Sequence, residues 1–443
     1  MFLAASLSPL GSTMIAVALP SIGSELGVGG GRLTQWLVSS YLIVGIATMS
    51  AGGRLGDRIG HKRGLLLGMT IYGLGSIVGF TVATLPALAF ARVSMAAGGA
   101  MTVPATMALL RNMVPLEKRP RAFGYFGSVM GTAAAVGPLL GGELTAYFGW
   151  RSIFIANLPV IGLAWWLIQH TTRAEAANGP ASKPEMPAFD ILGSVLLGSG
   201  LTLLVVAAQM SGALRWAPAA SGATLLLAFV RWERRVAQPV LDLALFRKRT
   251  FAAASMVTGL QNLAMYSLLF QLPIFFEQVR SVEPGTIGRT IIAMMIAMII
   301  CSPLGGRVSE RAGARATALA GTLTSLLGVY VLSDFQSLQT PTDTILGLIL
   351  VGTGLGFSSA PSQAAAMSAV SRADAGMAGG VVSTSRYIGG VIGISALGYL
   401  LGGDQAGVAS HSAAATVYLG ALVLAALSSL GLPGRNAGPP AEA

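Results

Sequence analysis

The 443-residue chain has one cysteine, three histidines and 17 acidic residues, and charged side chains of every kind make up only 10 % of it. One cysteine cannot build a disulfide framework, and nowhere do Cys and His fall at metal-ligand spacing, so thiol and metal chemistry are set aside. The chain contains no Gly-x-Ser-x-Gly elbow and no Gly-x-x-x-x-Gly-Lys loop. Catalysis at a nucleophile elbow and ATP-driven pumping therefore have no residues to rest on, and the expectation is a protein that is not an enzyme and needs no cofactor. No Lys or Arg precedes Arg32. The opening therefore reads as a membrane span and not as a signal peptide with its basic n-region. The net charge of +11 is dealt out loop by loop, whereas a nucleic-acid surface needs it clustered.

What the chain has in plenty is apolar surface: 53 % hydrophobic residues, a mean hydropathy of +0.70 and 58 glycines. That is more than a water-soluble domain hides. Small residues let membrane helices approach closely, whereas in soluble helices each glycine costs stability. At roughly 20 apolar residues per span plus a connection, the length accommodates about fourteen spans. Apolar windows fall near 2–24, 33–52, 64–83, 87–110, 121–147, 152–170, 190–210, 217–232, 251–276, 286–308, 316–334, 343–370, 375–402 and 413–432. The expected fold class is an all-α integral membrane protein.

Lys and Arg accumulate on the cytoplasmic side of membrane proteins. Taking alternate loops as cytoplasmic places 21 of the 28 basic residues on one side and five (Arg32, Arg151, Arg215, Arg280, Arg289) on the other; Arg92 and Arg386 remain inside spans. Both termini are thus expected in the cytoplasm. An internal repeat supports an even span count: Gly52 to Lys62 recurs as Gly305 to Arg315, with five identities and three conservative matches in eleven positions. The offset of 253 residues is about eight spans. Two six-span halves with two extra helices between them follow, and the extra pair is expected at 190–232. The expected domains are 1–172 (first six-helix bundle), 173–249 (loop, inserted helices and linker) and 250–443 (second bundle).

The segment Gly53-x-x-x-Asp57-Arg58-x-Gly60-x-Lys62-Arg63 resembles the signature between helices 2 and 3 of the major facilitator superfamily. Gly137-Pro138-Leu139-Leu140-Gly141-Gly142, followed by Gly149-Trp150-Arg151 through Asn157-Leu158-Pro159, resembles helices 5 and 6 of its fourteen-helix drug:proton antiporters. Gln35-Trp36 with Tyr41, Asp190 with Gly193, Trp232-Glu233-Arg234 through Pro239, Asp242, Leu245-Phe246-Arg247 and Arg386-Tyr387-Ile388-Gly389-Gly390 extend the resemblance over essentially the whole chain. It implies two bundles rocking about a central cavity in a bacterial plasma membrane, as a monomer. It also implies export of a small amphiphilic substrate against entering protons, with the lipid bilayer and no nucleic acid as further partners. The alternatives are a lipid or metabolite exporter, an uncoupled facilitator and a non-transporting scaffold.

The resemblance assigns Gly53, Asp57, Arg58 and Gly60 to a conformational latch; as residues alone they also fit a solvated turn. Gly137, Pro138, Gly141 and Gly142 read as a hinge or as small-residue packing. Arg92 stands about 9 Å past Pro86 and Glu143 about 10 Å before Trp150 along their helices. This predicts an Arg92–Glu143 pair that a proton could break; the alternative is Arg92 on backbone carbonyls and Glu143 in outer water. Arg386, Gln261, Asn262, Tyr266, Trp36, Tyr41 and the methionines at 294–298 are candidates for an adaptable cavity or for helix packing.

The chain departs from the family pattern where Gly11 replaces the usual acid of helix 1, Ala16 the usual amide, and Met95 the usual Gln of helix 4. Two deep arginines and few deep carboxylates favour neutral or anionic amphiphiles over lipophilic cations.

Overall fold

A computed structural model describes residues 1–113, 119–171, 190–210, 213–236, 239, 241, 243–370, 375–401 and 407–435. Among the described residues fourteen long helices carry the fold: α1 (Phe2–Leu26), α2 (Ser40–Ile59), α3 (His61–Thr81), α4 (Leu85–Met113), α5 (Arg119–Phe148), α6 (Asn157–Thr171), α7 (Ile191–Gln209), α8 (Trp216–Glu233), α9 (Arg249–Arg280), α10 (Pro284–Ala312), α11 (Ala314–Leu332), α12 (Ile345–Ser368), α13 (Ala375–Leu401) and α14 (Val408–Ser429). Among the described residues, nine helices are long and apolar enough to cross a membrane by themselves. The longest helix, α9, is not one of them. It is buried along much of its length, and its Gln261 and Gln271 amides bond to neighbouring helices. Shielding by protein lets it carry polar groups that lipid would penalise.

The packing follows the repeat. Helix α1 packs on α5, α2 on α4, α3 on α4 and α1 on α6; eight helices later α9 packs on α13, α10 on α12, α11 on α12 and α9 on α14. The repeat is also visible in the backbone: Gly60, between α2 and α3, has φ 93°, and Gly313, between α10 and α11, has φ 85°. Both need the left-handed conformation that glycine adopts without steric cost.

Across the middle, α5 meets α10 and α2 meets α13, again as repeat mates, while α1 touches α9. The inserted pair α7 and α8 breaks the symmetry, because α7 lies on α2 and α13, covering that seam alone. Asp190 ties the pair together by accepting bonds from Gly193 N at 2.8 Å, which caps α7, and from Trp232 Nε1 of α8 at 2.7 Å. Those bonds account for the Asp190, Gly193 and Trp232 positions of the sequence resemblance.

The expected latch loop is largely helix. Helix α2 runs through Arg54 to Ile59 and α10 through Arg307 to Ala312, so only Gly60 and Gly313 turn. Charged residues ended the apolar windows, but a helix emerging from lipid keeps its backbone bonds and merely changes its side chains.

Candidate functional site

At the end of the molecule that carries Trp150, three helices are clamped together. Glu25, at the end of α1, pairs with Arg151 at 2.7 Å and accepts a bond from Trp150 Nε1 at 2.6 Å. Gly149 turns at φ 76°, and Ser152 Oγ donates to the Leu144 carbonyl at 2.9 Å. The Gly149-Trp150-Arg151 motif thus ties α1, α5 and the short helical turn Ser152–Ile155 that leads into α6 to one another.

Helix α5 uses its small residues on two faces. Side chains built at Gly137 and Gly141 would run into Thr13 and Met14 of α1. On the other face a side chain at Gly288 of α10 would come within 2.8 Å of the Pro138 carbonyl and 3.1 Å of Gly142 Cα. Gly137 and Gly141 therefore serve close approach within the first bundle, and Pro138 and Gly142 serve it across the seam between bundles. One residue beyond that contact, Glu143 pairs with Arg289 at 2.8 Å, both partly open to the surroundings.

The expected Arg92–Glu143 pair is not made. Arg92 is buried at 1 % exposure, donates from Nε to the Leu37 carbonyl at 2.9 Å and from Nη1 to the Gly11 carbonyl at 3.0 Å, and stacks on Tyr41 with its guanidinium carbon 4.1 Å from the ring centre. Leu37 lies in a π-helical turn, Gln35–Ser39, ahead of α2. Such turns disturb the regular ladder and leave carbonyls open to other donors. Equal depth on adjacent helices did not mean a shared face: Glu143 looks across the seam and Arg92 looks towards α1 and α2.

Beside Arg92, the Tyr72 hydroxyl donates to the Leu7 carbonyl at 2.8 Å and fills the space that any side chain at Gly11 would need. A phenol from α3 thus stands where the resemblance places a carboxylate. Next to it a small cavity is lined by Ser8, Tyr41, Met49, Ala96, Gly99 and Tyr387, from α1, α2, α4 and α13. Ser8 Oγ and the Tyr41 hydroxyl lie 3.2 Å apart, and Tyr41 donates to the Ser8 carbonyl at 3.1 Å.

Of the other candidates, Tyr41 lines the cavity and Tyr266 packs on Gly390 nearby. Arg386 is half-buried beside Tyr387. Gln261 faces away, bonding Thr322 and Ser358 inside the second bundle at 2.9 and 2.7 Å, and Asn262 bonds the Thr258 carbonyl of its own helix at 2.8 Å. Trp36 is exposed. Met294 and Met298 meet Gly352 and Gly356 through their backbones, and Met294 and Met295 are buried. Gly53 faces Pro104 and Gly60 makes the turn. The side chains of Asp57 and Arg58 lie outside the described residues. Sequence reasoning gives no site role to Ser8, Tyr72, Tyr387 or Arg289; Tyr387 stands there only within the Arg386–Gly390 resemblance and Arg289 only among the basic residues of the outer loops. The signal for Arg289 was present, since Glu143 and Arg289 each follow a glycine at the same expected end.

Two like bundles meeting over a small cavity, in a chain of membrane-spanning helices, define a membrane transporter. The chain belongs to the major facilitator superfamily: the family model described as Major Facilitator Superfamily matches residues 1–394. Multidrug resistance protein Stp of Mycobacterium tuberculosis is 33 % identical over 88 % of this chain and 73 % of its own length. The tetracenomycin C resistance and export protein of Streptomyces glaucescens is 28 % identical over 88 % and 73 %. The fold matches the crystal structure of a D-xylose-proton symporter with a TM-score of 0.70, at 13 % identity over 98 % of this chain and 97 % of that one.

Proposed function

We propose that the protein exports amphiphilic small molecules by rocking one bundle against the other while protons enter. The setting is a bacterial plasma membrane, with both termini in the cytoplasm and the chain acting as a monomer. The Trp150 end then faces outward. The observation that carries this reading is the Glu143–Arg289 pair, which bridges the bundles beside the Gly288 contact and so holds the outer end closed. Protonation of Glu143 from the outer water removes the ion pair and favours opening. An exposed pair contributes about 1 kcal/mol at most, about fivefold in a two-state population, whereas a full switch takes about 5.5 kcal/mol. The proton therefore biases the equilibrium, and substrate binding supplies the rest. At the other end Gly53, Asp57, Arg58 and Gly60 act as the latch, with Gly305 to Arg315 as its second copy. The relatives' names, with resistance in both and export in one, support the direction.

One observation favours a second reading, an uncoupled facilitator for a lipid or metabolite: Tyr72 and Gly11 leave no carboxylate beside Arg92. Substrate-induced proton flux in proteoliposomes separates the two, comparing wild type with Glu143→Gln. Antiport predicts proton movement in wild type that falls severalfold in the variant. Substrate movement without protons in wild type establishes the facilitator.

A further inference from the structure

We infer that the central cavity, which in this conformation has room for about one water molecule, opens as the bundles rock into a site for an organic anion with an aromatic or otherwise apolar body, an assignment that rests on the export reading above. The sequence has 17 Asp and Glu, and among the described residues each lies outside the helices or in the last two turns of one. Among the described residues the middle of the helices carries two positive side chains, Arg92 on α4 and Arg386 on α13, and no negative one. A fixed cation inside a membrane protein is costly without a partner. The protein meets part of that cost with the Leu37 and Gly11 carbonyls and the Tyr41 ring, yet Arg92 Nη2 is buried without an acceptor.

Tyr41 connects this cation to the cavity. The guanidinium lies against its ring, and the same residue lines the cavity. A cation held against a phenol draws electron density from it and makes its O–H a better donor. That hydroxyl lies beside Ser8 Oγ, and Tyr387, next in sequence to Arg386, lines the same cavity from the opposite bundle. Three hydroxyls from two bundles thus converge where the surrounding fixed charge is positive. Hydroxyls that bond one another can turn to donate to an anion, and the positive field acts in a medium that screens it poorly. Apolar Met49, Ala96, Gly99 and Leu42 complete the lining and suit an apolar body. An anion bound there would touch Ser8 and Tyr41 of one bundle and Tyr387 of the other, joining the halves that must move together.

The test is exchange in proteoliposomes with the membrane potential clamped at zero, so that charge affects recognition and not driving force. Three fluorescent probes share one aromatic scaffold and carry a carboxylate, a neutral amide or a quaternary ammonium. The expected result is exchange of the carboxylate at least tenfold faster than of the ammonium, with the amide between them. Arg92 variants are avoided because its bonds also hold α1 and α2; Tyr41→Phe keeps the ring against Arg92 and removes only the hydroxyl. Tyr41→Phe and Arg386→Gln are each expected to raise KM for the carboxylate severalfold more than for the amide. A parallel arm follows a headgroup-labelled anionic phospholipid; its movement without that of the free carboxylate supports the anion site and makes a lipid the source. Exchange of the ammonium or amide as fast as the carboxylate overturns the anion site and leaves the export reading standing. Exchange of none of the probes, lipid included, in protein that retains its fold overturns both.

Discussion

At the scale of single residues, the chemistry around Arg92 turns on what fills the space beside Gly11. The Tyr72 hydroxyl occupies it and bonds the Leu7 carbonyl. Gly11→Ala is expected to displace the phenol, lose that bond and overpack the site, costing about 1–3 kcal/mol. Tyr72→Phe in the same background should recover part of the loss, and a double-mutant cycle in thermal unfolding of the detergent-purified protein measures the coupling. Additive losses would show that the two positions do not compete for space. Glu143 and Arg289 supply a second test at this scale. Reversing either charge alone should reduce the fraction closed at the Trp150 end severalfold, and exchanging the two should restore it, as read by spin-label distances across α5 and α10. An exchange variant no better than the single reversals would dissociate the pair from closure.

At the scale of elements, helix α5 illustrates what could be read from sequence and what could not. The Gly137-Pro138-x-x-Gly141-Gly142 pattern announced a thin helix, and close approach is what the structure shows. Which neighbour each glycine meets was not legible, because that depends on how the helix is rotated, and sequence spacing gives depth far better than rotation. The same limit explains Arg92 and Glu143, whose depths suggested a pair that their directions forbid. It explains Gln261 too: a polar residue at mid-depth signals a cavity, yet here Thr322 and Ser358 satisfy it inside one bundle. The repeat, by contrast, was fully visible, since a turn that requires a left-handed glycine leaves its mark in sequence at both Gly60 and Gly313. Gly288→Val tests the seam between α5 and α10. The added side chain cannot fit within 2.8 Å of the Pro138 carbonyl, so the Trp150 end is expected to stand open. Maleimide labelling of a cysteine placed at Thr145, with Cys301 replaced by serine, should rise severalfold; unchanged labelling would mean that the contact does not govern closure.

At the scale of the whole molecule, the two bundles repeat each other's packing, and their mutual contacts repeat as well: α5 on α10, α2 on α13. That symmetry gives the bundles two seams about which to rock. The inserted α7 lies over one of them, at α2 and α13. The central claim is that closure at one end accompanies opening at the other. The most direct measurement places spin labels in pairs at both ends of one protein in lipid: Tyr147 with Gln278 at the Trp150 end, and Leu55 with its repeat mate Val308 at the other, all surface positions. On adding transported substrate and lowering the pH, the account predicts reciprocal change: the Tyr147–Gln278 distance lengthens while the Leu55–Val308 distance shortens. Distances that stay fixed at both ends, or that lengthen together, would contradict it.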